Sequence, residues 1–88
     1  MSLSMNSSTT KSFRNRFRNL PPEIQRLARK NFKLWLRDPS HPSLHFKKVK
    51  DFWSARAGSK HRALATWSGD RIEWFWIGSH EEYEGLIR

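Results

Sequence analysis

Three runs between Phe52 and Ile77 alternate as β-strands do, and two turn signals join them. Strands are expected at about 52–57, 61–67 and 71–77. Gly58-Ser59-Lys60 and Ser68-Gly69-Asp70 supply the turns. Two consecutive hairpins make an antiparallel meander. Successive side chains of a strand point to opposite faces. One face then holds Trp53, Ala55, Ala57, Ala63, Ala65, Trp67, Ile72, Trp74 and Trp76, and it is apolar throughout. The other holds Phe52, Ser54, Arg56, Arg62, Leu64, Thr66, Glu73, Phe75 and Ile77. In this register Arg56, Arg62 and Ile77 share a row, with His80 just past its end. Like charges directly opposite each other destabilise a sheet. Two guanidinium groups side by side make sense where a polyanion lies across them.

The apolar face needs a cover, and the residues before the meander supply one. Ser12 or Thr10 can cap a short helix carrying Phe13 and Phe17 at i, i+4. Asn19-Leu20-Pro21-Pro22 ends it. A second helix is expected from about Pro22 to Leu36, with Ile24, Leu27, Ala28, Asn31, Phe32 and Trp35 as its inner stripe. Glu23 suits its positive end, and Asp38-Pro39 stops it. Leu44 to Lys50 reads as a loop leading into the sheet. His80 to Arg88 reads as one helical turn or an irregular end. The architecture expected is α+β, with two N-terminal helices on one face of a small antiparallel sheet.

Size and composition bound the rest. Eighty-eight residues make one domain, expected over 11–88, preceded by a Ser/Thr/Asn-rich flexible tail over 1–10. That tail has no basic segment followed by an apolar run, so it does not read as a secretory signal. No apolar run approaches the ~20 residues of a membrane span. There is no cysteine, which removes thiol chemistry and fits a reducing cytosol. Seventeen Lys and Arg face eight Asp and Glu, a net charge of +9. Residues 1–62 carry fifteen of the basic residues and three of the acidic ones. Residues 63–88 carry two and five. A field of that sign attracts phosphate backbones or an acidic protein partner.

Two constellations carry chemistry. Lys47, Lys48, Lys50, Arg56, Lys60 and Arg62 lie near Phe52 and Phe75 in the expected fold. Cations bind phosphate and aromatic faces stack unpaired bases, so this set suits single-stranded RNA. Phe52 and Phe75 fit equally with burial under a loop or partner. The second set is Arg56, Arg62, His80 and Tyr83. RNA cleavage through the 2′-hydroxyl needs a base, cations on the phosphorane and an acid for the leaving oxygen. An arginine keeps its proton and serves charge stabilisation alone. A histidine serves as acid or base near neutral pH. Tyr83 offers a phenol, or else anchors the end of the chain in the core. His41 and His45 are four apart, but Pro42 breaks any helix between them and no carboxylate cluster joins them. No metal or other cofactor is expected.

Several short motifs now occur in one order: Leu20-Pro-Pro-Glu-Ile24, Asp38-Pro-Ser-His-Pro-Ser-Leu44, Phe46-Lys-Lys-Val49, Trp53-Ser-Ala-Arg56, His61-Arg-Ala-Leu64 and Ile77-Gly-Ser-His-Glu-Glu-Tyr83. In this order the chain resembles the RelE/ParE superfamily of toxins from type II toxin–antitoxin systems. The resemblance covers about residues 12–84. It implies a toxin that enters the ribosomal A site, cuts mRNA without a metal and stops translation. It also implies a cognate antitoxin with an acidic toxin-binding segment. By the same resemblance Arg62 takes the position of the arginine on the scissile phosphate, and Arg56 a basic position on the preceding strand. His80 stands where the superfamily often has a cation or histidine, and Tyr83 resembles its C-terminal tyrosine. Ser54 departs from the lysine of the best-known RelE proteins. Tyr83 follows the glycine sooner than it does there. A ParE-like inhibitor of DNA gyrase and a plain RNA-binding module are the competing readings.

Overall fold

The computed structural model describes residues 6–88. Its strands and helices are β1 (Asn6–Thr9), α1 (Lys11–Arg18), α2 (Pro22–Arg37), β2 (Lys47–Val49), β3 (Phe52–Gly58), β4 (His61–Ser68), β5 (Arg71–Ser79) and α3 (His80–Ile87). The five strands form one sheet in the order β1-β5-β4-β3-β2. The meander β3-β4-β5 is its centre, as the alternation requires. α1 and α2 cover one face and α3 crosses the other. The α+β architecture matches expectation. No helix among the described residues is long and apolar enough to cross a membrane.

Two strands lie where none was expected. Asn6–Thr9, placed by the sequence in a flexible tail, pairs in parallel with Arg71–Trp74. Its main chain holds it, with Asn6 N donating to Asp70 O at 3.0 Å and Thr10 N to Trp74 O at 2.9 Å. The remainder of the expected tail, 1–5, lies outside the described residues. Lys47–Val49, expected as loop, pairs antiparallel with Phe52–Ser54. It is preceded by a single 3-10 turn, Pro42–Leu44. That turn ends at His45, and the next reversal uses Lys50; both are left-handed, at φ 44° and 57°. Neither is the glycine or asparagine that normally announces such a conformation.

Thr10, rather than Ser12, caps α1: its hydroxyl accepts from Phe13 N at 3.1 Å. α2 begins with Pro22 at its first position and runs one residue beyond the expected end. Trp35, on its inner stripe, is the centre of the core. Its ring meets Trp74 edge-on at 5.4 Å and Phe46 at 5.7 Å. Phe46 stacks on Trp53 at 4.9 Å. Ala65 and Ile72 lie beneath them without solvent exposure. Leu27 and Phe32, expected inside, are 41% and 40% exposed. The two helices do not close over the sheet. An apolar cleft of about 450 Å³ remains, lined by both helices and by Trp74 and Ile77.

The expected register shifts at two places: between Arg56 and Gly58, where Ala57 is extra in β3, and in β5. Leu64 pairs with Trp76 and Ala65 with Trp74, so Phe75 is an extra residue in β5. Beyond this bulge the faces exchange. Ile77 turns into the core at 2% exposure, and Trp76 turns out. The row across the sheet is therefore Arg56, Arg62 and Gly78, not Arg56, Arg62 and Ile77.

α3 is a full helix rather than a single turn or an irregular end. Ser79 and Glu82 cap it reciprocally, with Glu82 N donating to Ser79 Oγ at 3.1 Å and Ser79 N to Glu82 Oε1 at 3.0 Å. Lys50 Nζ donates to Arg88 O at 3.2 Å, so the helix spans from the end of β5 to the β2–β3 turn. Arg16 of α1 fastens it. β1 stops opposite Trp74, leaving the outer edge of β5 open beyond that point. There Arg16 Nε donates to Ile77 O at 2.7 Å, Nη2 to Glu82 Oε2 at 2.9 Å, and the guanidinium lies 4.9 Å from the Trp76 ring centre.

Two outcomes follow from this clamp. A methyl at Gly78 would meet the Trp76 ring at 2.6 Å and Arg16 Nη2 at 2.9 Å. Gly78→Ala is expected to cost about 1–3 kcal/mol, read as a lower denaturation midpoint at unchanged m-value. The Ser79 main-chain N–H, and after it Arg16, holds the Glu82 carboxylate below its ordinary 4.5. Its contribution is full above that value and lost as pH falls through the depressed pKa. The Tm gap between wild type and Glu82→Gln should be open at pH 7 and close below pH 4.5. A gap indifferent to pH would contradict the assignment.

Candidate functional site

The β3–β4 hairpin brings the cations together. Arg56 and Arg62 are direct cross-strand partners on the face opposite α1 and α2. The hairpin reverses through Ser59 and Lys60, and His80 follows at the end of β5. Lys60 O accepts from His80 N at 2.7 Å, which ties the start of α3 to that turn. Arg56, Gly58, Ser59, His61, Arg62 and His80 line one polar cleft of about 170 Å³.

Arg62 is held rather than free. It is 7% exposed. Its Nε donates to Ser54 Oγ at 2.8 Å and its Nη2 to His45 O at 3.0 Å. The Tyr83 ring centre lies 5.2 Å from its Cζ. Burial lowers its pKa; Tyr83 opposes that shift and Arg56 adds to it. A guanidinium nonetheless keeps its proton in proteins. It has five N–H donors. Two are used here, leaving both hydrogens of Nη1 and one of Nη2 for an anion. Gly78, its partner on β5, carries no side chain, and the Trp76 ring packs over that position.

His80 is exposed, and its Nε2 lies 3.0 Å from Glu84 Oε1 one helical turn on. Its ring centre is 5.8 Å from that of Tyr83. Tyr83 itself is 4% exposed and is not among the residues lining the cleft. Of the four residues assigned to cleavage, three therefore meet around one small cavity and the fourth lies behind Arg62.

The six residues assigned to RNA contact are more dispersed. Lys47 pairs with Ser54 and so shares the face of Arg62, whereas Lys48 pairs with Trp53 and faces the other way. Lys60 is exposed in the turn beside the cleft. Lys50 sits at the opposite end of the sheet, bonded to the last residue of the chain. Phe52 and Phe75 are half-buried, with ring centres 5.1 Å apart. Among the described residues no group of three His, Asp or Glu side chains gathers to hold a metal. His41 instead accepts from Ser43 N within its own turn.

Three groups escaped the reading of the sequence. Ser54 is fully buried beside Arg62. The His45 carbonyl comes from a segment taken as loop. His61 lines the cleft with its Nδ1 buried and unpartnered. Its place between the turn and Arg62 was the available signal, since it too falls at the hairpin's end. For Ser54 the signal was a small polar residue among apolar neighbours in a central strand.

No protein-family model matches the sequence, and no curated protein sequence does. Solved structures match through the fold. The RelB–RelE antitoxin–toxin complex of Methanococcus jannaschii is 15% identical, with a TM-score of 0.70 over 91% of this chain and 98% of that one. The YoeB/ParE toxin of Agrobacterium tumefaciens is 19% identical, at 0.67 over 86% and 99%. The isolated RelE toxin of Escherichia coli is 12% identical, at 0.65 over 96% of each chain. The meander, its two covering helices and its added edge strands are those of the RelE-like toxin fold.

Proposed function

We propose that this chain is the toxin of a toxin–antitoxin pair, and that it cuts ribosome-bound mRNA at the Arg56–Arg62–His80 cleft. The observation that carries the reading is the state of Arg62. It is fixed on two sides and ringed by a second arginine and a histidine, with donors left over for an anion. In the reaction the 2′ oxygen bonds to phosphorus and the bond to the 5′ oxygen breaks. The products are a 2′,3′-cyclic phosphate and a 5′-hydroxyl. Arg62 and Arg56 stabilise the charge on the phosphorane oxygens. His80, solvent-facing at the rim, takes the 2′-hydroxyl proton or supplies one to the leaving 5′ oxygen, and solvent water carries the other. Tyr83 presents a ring face to Arg62 and supports its position. Lys47 and Lys60 flank the path of the RNA backbone, and the Phe52–Phe75 pair offers a surface for a base further along the face. An antitoxin with an acidic segment suits the net charge of +9.

Purified protein should cut mRNA on translating ribosomes, and its expression should arrest growth. Arg62→Ala should lower cleavage by ~10²–10³-fold, and Arg62→Lys by nearly as much, because lysine keeps the charge but lacks the planar fork. Arg71→Ala, at an exposed position far from the cleft, should cleave as wild type does. Circular dichroism on each variant separates lost chemistry from lost fold. Intact mRNA together with blocked gyrase supercoiling would replace this reading with the gyrase one.

A further inference from the structure

We propose that Ser54 and the main-chain carbonyl of His45 are positioning groups that select which edge of the Arg62 guanidinium meets phosphate. The inference rests on the mRNA-cleavage reading and adds two groups to it. A guanidinium has a side edge, made by Nε–H and one Nη2–H, and an end edge, made by Nη1–H and the other Nη2–H. Either edge grips a carboxylate or phosphate with two parallel bonds. Here the side edge is filled from within: Ser54 Oγ accepts from Nε and His45 O accepts from Nη2. Nη1, which neither acceptor touches, turns the end edge toward the ligand.

Both acceptors are built for this. Ser54 is 0% exposed in a central strand, between Lys47 on one neighbour and Leu64 on the other. A hydroxyl there is out of place unless it is bonded. His45 has a φ of 44°, which a side-chain-bearing residue adopts reluctantly. The Pro42–Leu44 turn, anchored by a Leu44 that is 1% exposed, leads into it. The strained residue contributes its carbonyl, not its exposed imidazole. Strain of this kind recurs where a backbone group is aimed at a function. Tyr83 closes the ring face, so the plane of Arg62 is fixed in rotation as well as in place.

Without the Ser54 acceptor, Arg62 keeps its charge and its strand position but can turn its side edge outward. Binding of RNA, spread over many cations, then changes little, while alignment at the reacting phosphate suffers. Ser54→Ala should therefore lower kcat by ~10–100-fold with KM within ~3-fold. Ser54→Thr, which retains the hydroxyl, should recover most of that loss. Ser54→Cys keeps the volume but is a weak acceptor, and it should behave like alanine. On an Arg62→Lys background, Ser54→Ala should cause no further loss, because lysine has no Nε to hold.

Wild-type kcat in both Ser54→Ala and Ser54→Cys would overturn the proposal. So would an equal, multiplicative loss on the lysine background. Should the wild type cut no mRNA at all, the cleavage reading falls by itself, and the positioning claim is then read on the arginine. A resolved, exchange-protected Arg62 Nε–H signal in 15N NMR, lost in Ser54→Ala, supports it. A fast-exchanging signal in the wild type overturns it.

Discussion

A guanidinium cannot shed its proton at any pH the fold tolerates, so burying Arg62 obliges its neighbours to supply acceptors. Taking a charge out of water costs several kcal/mol even after relaxation. A hydrogen bond to a charged group returns about 1.5–3 kcal/mol. Ser54, the His45 carbonyl and the Tyr83 ring together bring the account near balance. They come from β3, from the segment after the 3-10 turn, and from α3. The arginine thereby ties these three parts of the chain together at one point. An anion at its free donors would add to a site whose desolvation has already been met by folding.

The bulge at Phe75 serves the same end. Strict alternation would place Ile77 beside Arg62 and send Trp76 into the core. The extra residue reverses both. Ile77 then adds apolar area under α1. Trp76 gives Arg16 a surface to lie on, and Gly78, lacking a Cβ, leaves room for the Trp76 ring and the Arg16 guanidinium. A bulge costs local ladder bonding. On the other edge of β5, beyond the end of β1, Arg16 Nε bonds Ile77 O. One irregularity in one strand thus shapes both the core face and the polar face.

Where physics is local, the sequence was legible. The meander, its turns, the Arg56–Arg62 pairing and the stripe of α2 from Ala28 to Trp35 all follow from period and turn chemistry. The missed parts depend on partners distant in the chain. Nothing in Asn6–Thr9 alternates, because main-chain pairing to β5 holds that strand rather than its side chains. β2 is hidden because Lys50 makes a left-handed turn that glycine or asparagine would have flagged. The bulge leaves no mark in a run as aromatic as Trp74-Phe75-Trp76. At the site, the cations and His80 could be placed from strand register. The Ser54 and His45 acceptors could not, since one looked like a gap in the superfamily pattern and the other lay in a presumed loop.

The division of charge along the chain acquires a use in three dimensions. The acidic end is not a separate tail; it is α3, laid across the cationic face. Glu82 meets Arg16, Glu84 meets His80, and Lys50 reaches the main chain of Arg88. These contacts lie at the periphery, where exposed pairs contribute little stability and are screened by salt. They leave the arginine pair itself without a carboxylate partner among the described residues. Had a glutamate reached Arg62, its remaining donors would be satisfied within the chain. The helix therefore holds the edge of the site while leaving its charge uncompensated, with Arg62 fixed in place beside Arg56.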